Sequence, residues 1–281
     1  MGLPNVTKEN YFSPEIQQAY MSASQFKAFD RCEAAALAEL RGEFPPKETT
    51  ALLVGSYVDA VFSGEIDAFR ETHPGLFKRD GTLKSDFLRA EDIVERMEGD
   101  ELYRMLLSGE KQVIRTGTIA GVPFKIKIDS LLSGETCRMI VRRFPGAAKA
   151  LGFCDGAIVD QKVMKVMKDT EDIWDAETHS RVPFAAAWGY DLQGAIYQAV
   201  EGQFLPFILA VGTKQDPPGL EAVYIPDGDL AAKLAEVEDR APRYQAIKEG
   251  RIPPVRCETC AYCRATRKLD TIIDYREVGT W

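Results

Sequence analysis

The spacing of apolar and polar positions divides the chain into helical and extended stretches. Ser22 and Ser24 precede Gln25-Phe26-Lys27-Ala28-Phe29, and an Ala/Leu-rich run continues to Leu40. This predicts one capped helix with Cys32 in its body, stopped by Phe44-Pro45-Pro46. The mostly apolar run from Thr50 to Ser63, closed by Gly64, predicts a second helix that carries Gly55 and Asp59. A charged helical stretch follows, from about Ser85 to Leu107.

The period then shortens to two. Gln112 to Ile119, a turn at Ala120-Gly121 and Val122 to Leu132 predict a β-hairpin. In its second strand Phe124, Ile126 and Ile128 alternate with Lys125, Lys127 and Asp129, giving one apolar face and one face with two lysines and a carboxylate. After an irregular basic segment, Ala157 to Val163 reads as a short strand in which Asp160 and Lys162 share a face. Pro183 to Val200 reads as a helix with Gln193 and Tyr197 on one side. Leu205 to Thr213 and Ala222 to Ile225 are further strands, and Asp229 to Gly250 a last helix. This order implies a mixed sheet flanked by helices. No internal repeat, low-complexity tract or linker interrupts it, so one domain over residues 1–281 is expected.

Composition narrows the class. The 281 residues are 45% hydrophobic and 28% charged, an ordinary globular mixture. No apolar run reaches the roughly 20 residues of a membrane helix. Residues 1–10 have neither a basic start nor an apolar stretch, so neither a signal peptide nor secretion is expected, and a cytoplasmic setting is. Net charge is −8, from 35 basic and 43 acidic residues, which argues against a general nucleic-acid coat. Basic residues nevertheless cluster twice. One segment holds Arg138, Arg142, Arg143, Lys149, Lys162, Lys165 and Lys168; the other holds Arg243, Lys248, Arg251, Arg256, Arg264, Arg267 and Lys268. Such segments suit a local anionic ligand as well as a solvated surface.

Two groups of residues carry candidate chemistry. Cys257, Cys260 and Cys263, at C-x2-C-x2-C spacing, can converge on one metal centre, and a fourth ligand is needed. Cys32, Cys137 and Cys154 remain. If Cys32 completes the set, the site closes most of the chain into one loop and opposes roughly 5 kcal/mol of chain entropy. Zinc and an iron–sulfur cluster both accept four thiolates, and spacing does not separate them. The second group is Asp129 with Asp160-Gln161-Lys162. Two carboxylates at neighbouring strand ends can hold hard cations, and a lysine two residues on points into the same site. Taken alone, D-x-K is also a common surface pair.

The ordered series Cys32, Gly55-Ser-Tyr-Val-Asp59, Asp129, Asp160-x-Lys162, Gln193-x-x-x-Tyr197 and the C-terminal cysteine trio resembles the PD-(D/E)xK nuclease superfamily. Within it, the chain is similar to phage and prophage exonucleases of the exonuclease VIII (RecE-like) type. The cysteine pattern is similar to that of iron–sulfur nuclease domains in the AddB helicase–nuclease subunit and in CRISPR adaptation nucleases. The resemblance runs from about Tyr11 to Tyr275 and includes the stretches at Tyr20, Thr50 and Trp188. It implies a restriction-endonuclease-like fold, with the chain's two ends joined by a four-cysteine metal site.

By position, Asp129 and Asp160 match the motif acids and Lys162 the motif lysine, while Gln193 and Tyr197 match a helix lying against the active site and the DNA. Asp59 stands where the family often has histidine, and with Asp129 and Asp160 it would ligate Mg²⁺ (or Mn²⁺). Cys32, Cys257, Cys260 and Cys263 match the one-plus-three ligands of a [4Fe–4S] cluster, with Zn²⁺ as the alternative. Arg142, Arg143 and Lys165 would track the DNA backbone.

The connection between the two acids is longer than usual, and Thr136 to Asp155 reads as an insertion with a short helix near Pro145. His73 and His179 read as surface residues, Cys137 and Cys154 as free thiols, and Trp174 and Trp188 as core or rim aromatics. The expected function is a metal-dependent DNA exonuclease of phage or prophage recombination. Its partners would be DNA, a single-strand annealing recombinase and further copies of itself. The alternative is a non-catalytic DNA- or recombinase-binding module.

Overall fold

In the computed structural model, which describes residues 2–46, 48–166, 173–175, 179–269, 272 and 274–277, the period-two stretch forms β1 (Glu110–Ile119) and β2 (Val122–Ser133). Their turn, Ala120-Gly121, has φ of 49° and 77°, the left-handed pair that matches the twist of a two-residue hairpin. β3 (Gly156–Met164) pairs antiparallel with β2, from Ser130 opposite Val159 to Ser133 opposite Gly156. β4 (Ile173–Asp175) and β5 (Ser180–Val182) form a separate two-stranded sheet. β6 (Phe207–Thr213) runs parallel to β3, and β7 (Leu220–Ile225) closes the edge antiparallel to β6. The five-stranded order is β1-β2-β3-β6-β7, a mixed sheet flanked by helices.

Every residue of β6 is buried, as its unbroken apolar run requires of a central strand. Phe124, Ile126 and Ile128 of β2 are fully buried, each worth about 2 kcal/mol of apolar transfer. The opposite face is less wet than its composition predicts. Lys125 is also fully buried, and desolvation pulls its ammonium down to about 8.

The chain divides into two compact units. One comprises Met1–Lys47, Thr118–Phe124 and Glu238–Trp281. In it Phe26 and Phe29 pack on Tyr244, with ring centroids 5.1 and 5.5 Å apart. The buried Lys248 ammonium donates to the carbonyls of Gln17 and Tyr20. The other unit comprises Glu48–Gly117 and Lys125–Val237. Its core joins Tyr57 and Val58 to Ile93, Met97, Ile140, Val159 and Ile208.

Four expectations are corrected. The Ser22–Leu40 helix is two helices, Ala23–Arg31 and Glu33–Leu40, because Cys32 is extended at φ −167°, ψ 108°. The charged stretch is likewise split into Ser85–Glu98 and Glu101–Leu106, the second capped by Asp100, which accepts from the Tyr103 N–H at 2.9 Å. Pro183–Val200 breaks at Gly189, whose left-handed φ of 62° separates Phe184–Ala187 from Tyr190–Glu201. The segment after β2 contains a full helix, Gly134–Arg143, which seats Cys137 and Ile140 in the core. Among the described residues, no helix is long and apolar enough to cross a membrane.

Candidate active site and cysteine cluster

The β2–β3 pairing stops at Ser130 opposite Val159, so Asp129 and Asp160 occupy the first positions beyond the ladder. With no β2 partner beyond the ladder, the Gln161 N–H donates to Asp129 Oδ2 at 2.9 Å. Asp160 is 3% exposed; its Oδ1 accepts from Gln193 Nε2 at 2.6 Å, and its Oδ2 meets the Lys162 ammonium. Beyond the Lys162 ammonium, Asp160 Oδ2 has no further hydrogen-bond partner among the described residues. Lys162 and Asp160 are brought together because strand side chains repeat every two residues.

Asp59 reaches the same group from the helix Thr50–Ser63, which begins with the Thr49 hydroxyl accepting from the Leu52 N–H and ends at Gly64 with φ 77°. Desolvation raises the Asp59 carboxyl; Lys127 opposes this rise, while Asp160 adds to it. For Asp129, desolvation and then the neighbouring Asp160 and Asp59 push the carboxyl up to about 7. Burial alone would lower the Lys162 ammonium, but Asp160 and Asp129 outweigh it and hold the lysine protonated. The result is a recessed cluster of three mutually repelling acids beside the Lys162 ammonium, with Lys127 and Lys111 also acting on Asp59. Hard divalent ions suit such oxygen donors. The three carboxylates do not converge within 4.8 Å as the four cysteine sulfurs do.

Gln193 lies on the helix Tyr190–Glu201, which approaches β6 closely because residue 194 is glycine. A Cβ there would come within 2.7 Å of the Phe207 ring. The Tyr197 hydroxyl donates to the Lys127 carbonyl at 3.0 Å, and its ring stands edge-on to Phe207. Both Gln193 and Tyr197 are 9% exposed, so they brace β2 and β3 from inside rather than presenting a surface. Three further side chains border the group. Gln112 donates to Asp59 Oδ1 at 3.4 Å, Lys127 acts on Asp59 electrostatically, and the Tyr190 ring centre lies 5.5 Å from the Lys162 nitrogen. Tyr190 was signalled by its place in the Trp188-Gly-Tyr-Asp run, and Lys127 by its period-two relation to Asp129.

Of the basic residues predicted to meet DNA, Arg142 and Lys165 are exposed, whereas Arg143 is held by Glu101 through two 3.0 Å hydrogen bonds. Lys168 lies outside the described residues. The second basic segment is largely engaged, with Arg243 on Glu33, Arg251 on Glu249 and Arg256 on Glu258. Trp174 and Trp188 are 60% and 52% exposed, which excludes a core position. His179 is exposed, and His73 stacks on Phe69. Cys137 is buried and Cys154 partly so, both as free thiols.

In the other unit, the sulfurs of Cys32, Cys257, Cys260 and Cys263 all lie within 4.8 Å of one another. Cys32 Sγ is 3.6 Å and Cys257 Sγ 4.0 Å from Cys263 Sγ. Glu258, at φ 60°, turns the C-x2-C loop so that the Cys260 N–H donates to Cys257 Sγ at 3.3 Å, and the Cys263 N–H donates to Cys260 Sγ at 3.4 Å. A hydrogen bond from Thr259 leads the effects that bring the Cys257 thiol down to about 6, whereas burial pushes Cys263 up to about 12. A buried thiol so reluctant to ionise needs a cation to become a ligand. Four thiolates about 2.3 Å from one tetrahedral ion stand about 3.8 Å apart, close to these separations. The extended Cys32 backbone and the Glu33 carboxylate, which accepts from the Val255 N–H at 2.7 Å, bring the two sequence ends together there.

Residues 22–139 and 152–266 match the family described as "PDDEXK-like domain of unknown function (DUF3799)". A crystal structure of a candidate exonuclease from Eubacterium rectale is similar over 98% of both chains, at 36% identity and a TM-score of 0.84. No protein of curated function matches.

Proposed function

Because the chain belongs to the PDDEXK-like DUF3799 family, we propose that it is a divalent-metal-dependent deoxyribonuclease, an exonuclease of phage or prophage recombination. The Eubacterium rectale neighbour, a candidate exonuclease, supports the nuclease class. The observation that carries the reading is the meeting of Asp129, Asp160 and Lys162 just beyond the end of the β2–β3 ladder.

Asp59, Asp129 and Asp160 hold the divalent ion, Mg²⁺ or Mn²⁺, which when bound supplies charge neutralisation at the scissile phosphate and a more acidic water. Lys162, kept protonated by its two carboxylates, faces the charge that grows on the phosphate oxygens as water attacks. The water oxygen bonds to phosphorus, the bond from phosphorus to the leaving oxygen breaks, and the water's proton ends on the leaving hydroxyl. Gln193 fixes the Asp160 carboxylate, and Tyr197 fixes β2 two residues before Asp129. Arg142 and Lys165 offer exposed positive charge for the phosphate backbone, which gives largely sequence-independent, salt-sensitive binding.

The four-cysteine site is read as structural, clasping the N- and C-terminal segments of its own unit. Its sulfur separations support one tetrahedral ion, Zn²⁺, over the larger [4Fe–4S] cluster.

The test is digestion of linear duplex and single-stranded DNA with and without Mg²⁺, comparing wild type with Asp160→Asn. Mg²⁺-dependent degradation lost in the variant supports the reading. DNA binding without degradation by the wild type would favour the binding-module alternative.

A further inference from the structure

Gln112 is 4% exposed, near the start of β1, with an uncommon left-handed φ of 52°. Its Nε2 donates to Asp59 Oδ1 at 3.4 Å. Its Oε1 is buried and, among the described residues, has no hydrogen-bond partner. A carboxylate only accepts, so the amide NH2 must face Asp59, which leaves the carbonyl oxygen as the end without a partner. An apolar side chain would fill this position without burying an unsatisfied oxygen. Asp59 in turn acts directly on Asp160, whose buried Oδ2 is held by the Lys162 ammonium. Gln112 Oε1 is thus a buried oxygen without a partner on a residue that is hydrogen-bonded to one of the three acids. Hard cations accept side-chain amide oxygens alongside carboxylates.

Resting on the divalent-cation reading above, we propose that Gln112 is a positioning residue and a further oxygen donor of that site. Its NH2 fixes the Asp59 carboxylate, and its carbonyl oxygen adds to the oxygen shell that the three aspartates begin. The residue departs from the strand's simple alternation because its left-handed backbone aims the side chain at the helix carrying Asp59, which explains a strained conformation at a buried polar residue.

The test uses the full-length protein and Mn²⁺ as the probe, followed by paramagnetic resonance and by melting temperature. Gln112→Met keeps the side chain's length and removes both polar ends. It should bind Mn²⁺ about tenfold more weakly, the usual scale for a residue supporting metal ligands, with a melting temperature without added Mn²⁺ no lower than wild type. Gln112→Glu restores an oxygen donor and should show a Mn²⁺-induced rise in melting temperature at least as large as wild type. Wild-type Mn²⁺ affinity in Gln112→Met, or a smaller Mn²⁺-induced rise in Gln112→Glu, overturns the inference while leaving the nuclease reading intact. Should Gln112→Met fail to fold, the Gln112→Glu comparison decides alone. Mn²⁺ binding by wild type that is unaffected by Asp160→Asn overturns the underlying reading and this inference with it.

Discussion

Gln193 Nε2 donates to Asp160 Oδ1 over 2.6 Å, joining residues 33 positions apart in sequence. The bond occupies one carboxylate oxygen and leaves Oδ2 for Lys162 and a cation, so the helix Tyr190–Glu201 sets the orientation of the acid it packs beneath. Gln193→Leu should therefore lower kcat for DNA digestion by roughly 10- to 100-fold with KM nearly unchanged. Steady-state digestion over a range of DNA concentrations measures both constants, and a change confined to KM would assign Gln193 to substrate binding instead.

Gly194 allows that helix to sit so close to β6. Gly194→Ala meets the Phe207 ring and the Leu230 side chain at 2.7 and 2.9 Å, so the helix or these side chains must shift. We expect a loss of about 1–3 kcal/mol in urea unfolding, together with reduced activity.

Much of this arrangement was legible in the sequence, and the reasons differ from residue to residue. Asp160 and Lys162 share a face because strand geometry fixes a period of two, and Ala120-Gly121 announces a tight turn. The helix Thr50–Ser63 is bounded by a Thr cap and a left-handed Gly, signals local enough to read directly. The helix Gly134–Arg143 escaped because only Cys137 and Ile140 are buried among its charged residues. The break at Cys32 escaped because the surrounding Ala-rich sequence favours continuous helix; the extended backbone there serves contacts with residues far along the chain. In the sequence Gln112 is only the first residue of a predicted strand. Its importance rests on a backbone angle and on a neighbour, Asp59, 53 positions away, and no local pattern encodes either.

The acidic group should respond to pH with a definite sign. Asp129 titrates near 7 in the metal-free fold, well above its ordinary value of 3.8, so the native state holds a proton that the unfolded chain has lost. Its contribution to stability is complete below about 3.8 and disappears as pH rises through about 7. Without added divalent ion, the melting temperature should fall between pH 5 and 8, and Asp129→Asn should flatten that fall. Mg²⁺ competes with the same proton, so its affinity should rise with pH over this interval. Calorimetric titration at pH 6 and 8 checks the direction.

The cysteine cluster gives a prediction independent of the acids. Cys32→Ser removes the one sulfur contributed from the N-terminal segment and opens a loop that runs to Cys263, 231 positions on. We expect loss of bound metal and destabilisation of up to about 5 kcal/mol, read from metal content by mass spectrometry and from urea unfolding. The sulfur separations lead us to expect a colourless wild-type protein with about one zinc per chain; a brown protein containing iron and labile sulfide would establish the cluster instead.

Lys162→Ala tests the central claim most directly, because it removes a side chain that contacts Asp160 and leaves all three candidate cation ligands in place. The measurement is single-turnover digestion of end-labelled linear DNA in Mg²⁺, run beside a DNA-binding titration in Ca²⁺. The result expected is a rate lower by about 10³-fold with the DNA dissociation constant changed by less than about threefold; undiminished digestion by Lys162→Ala would contradict the assignment of this site as the hydrolytic centre.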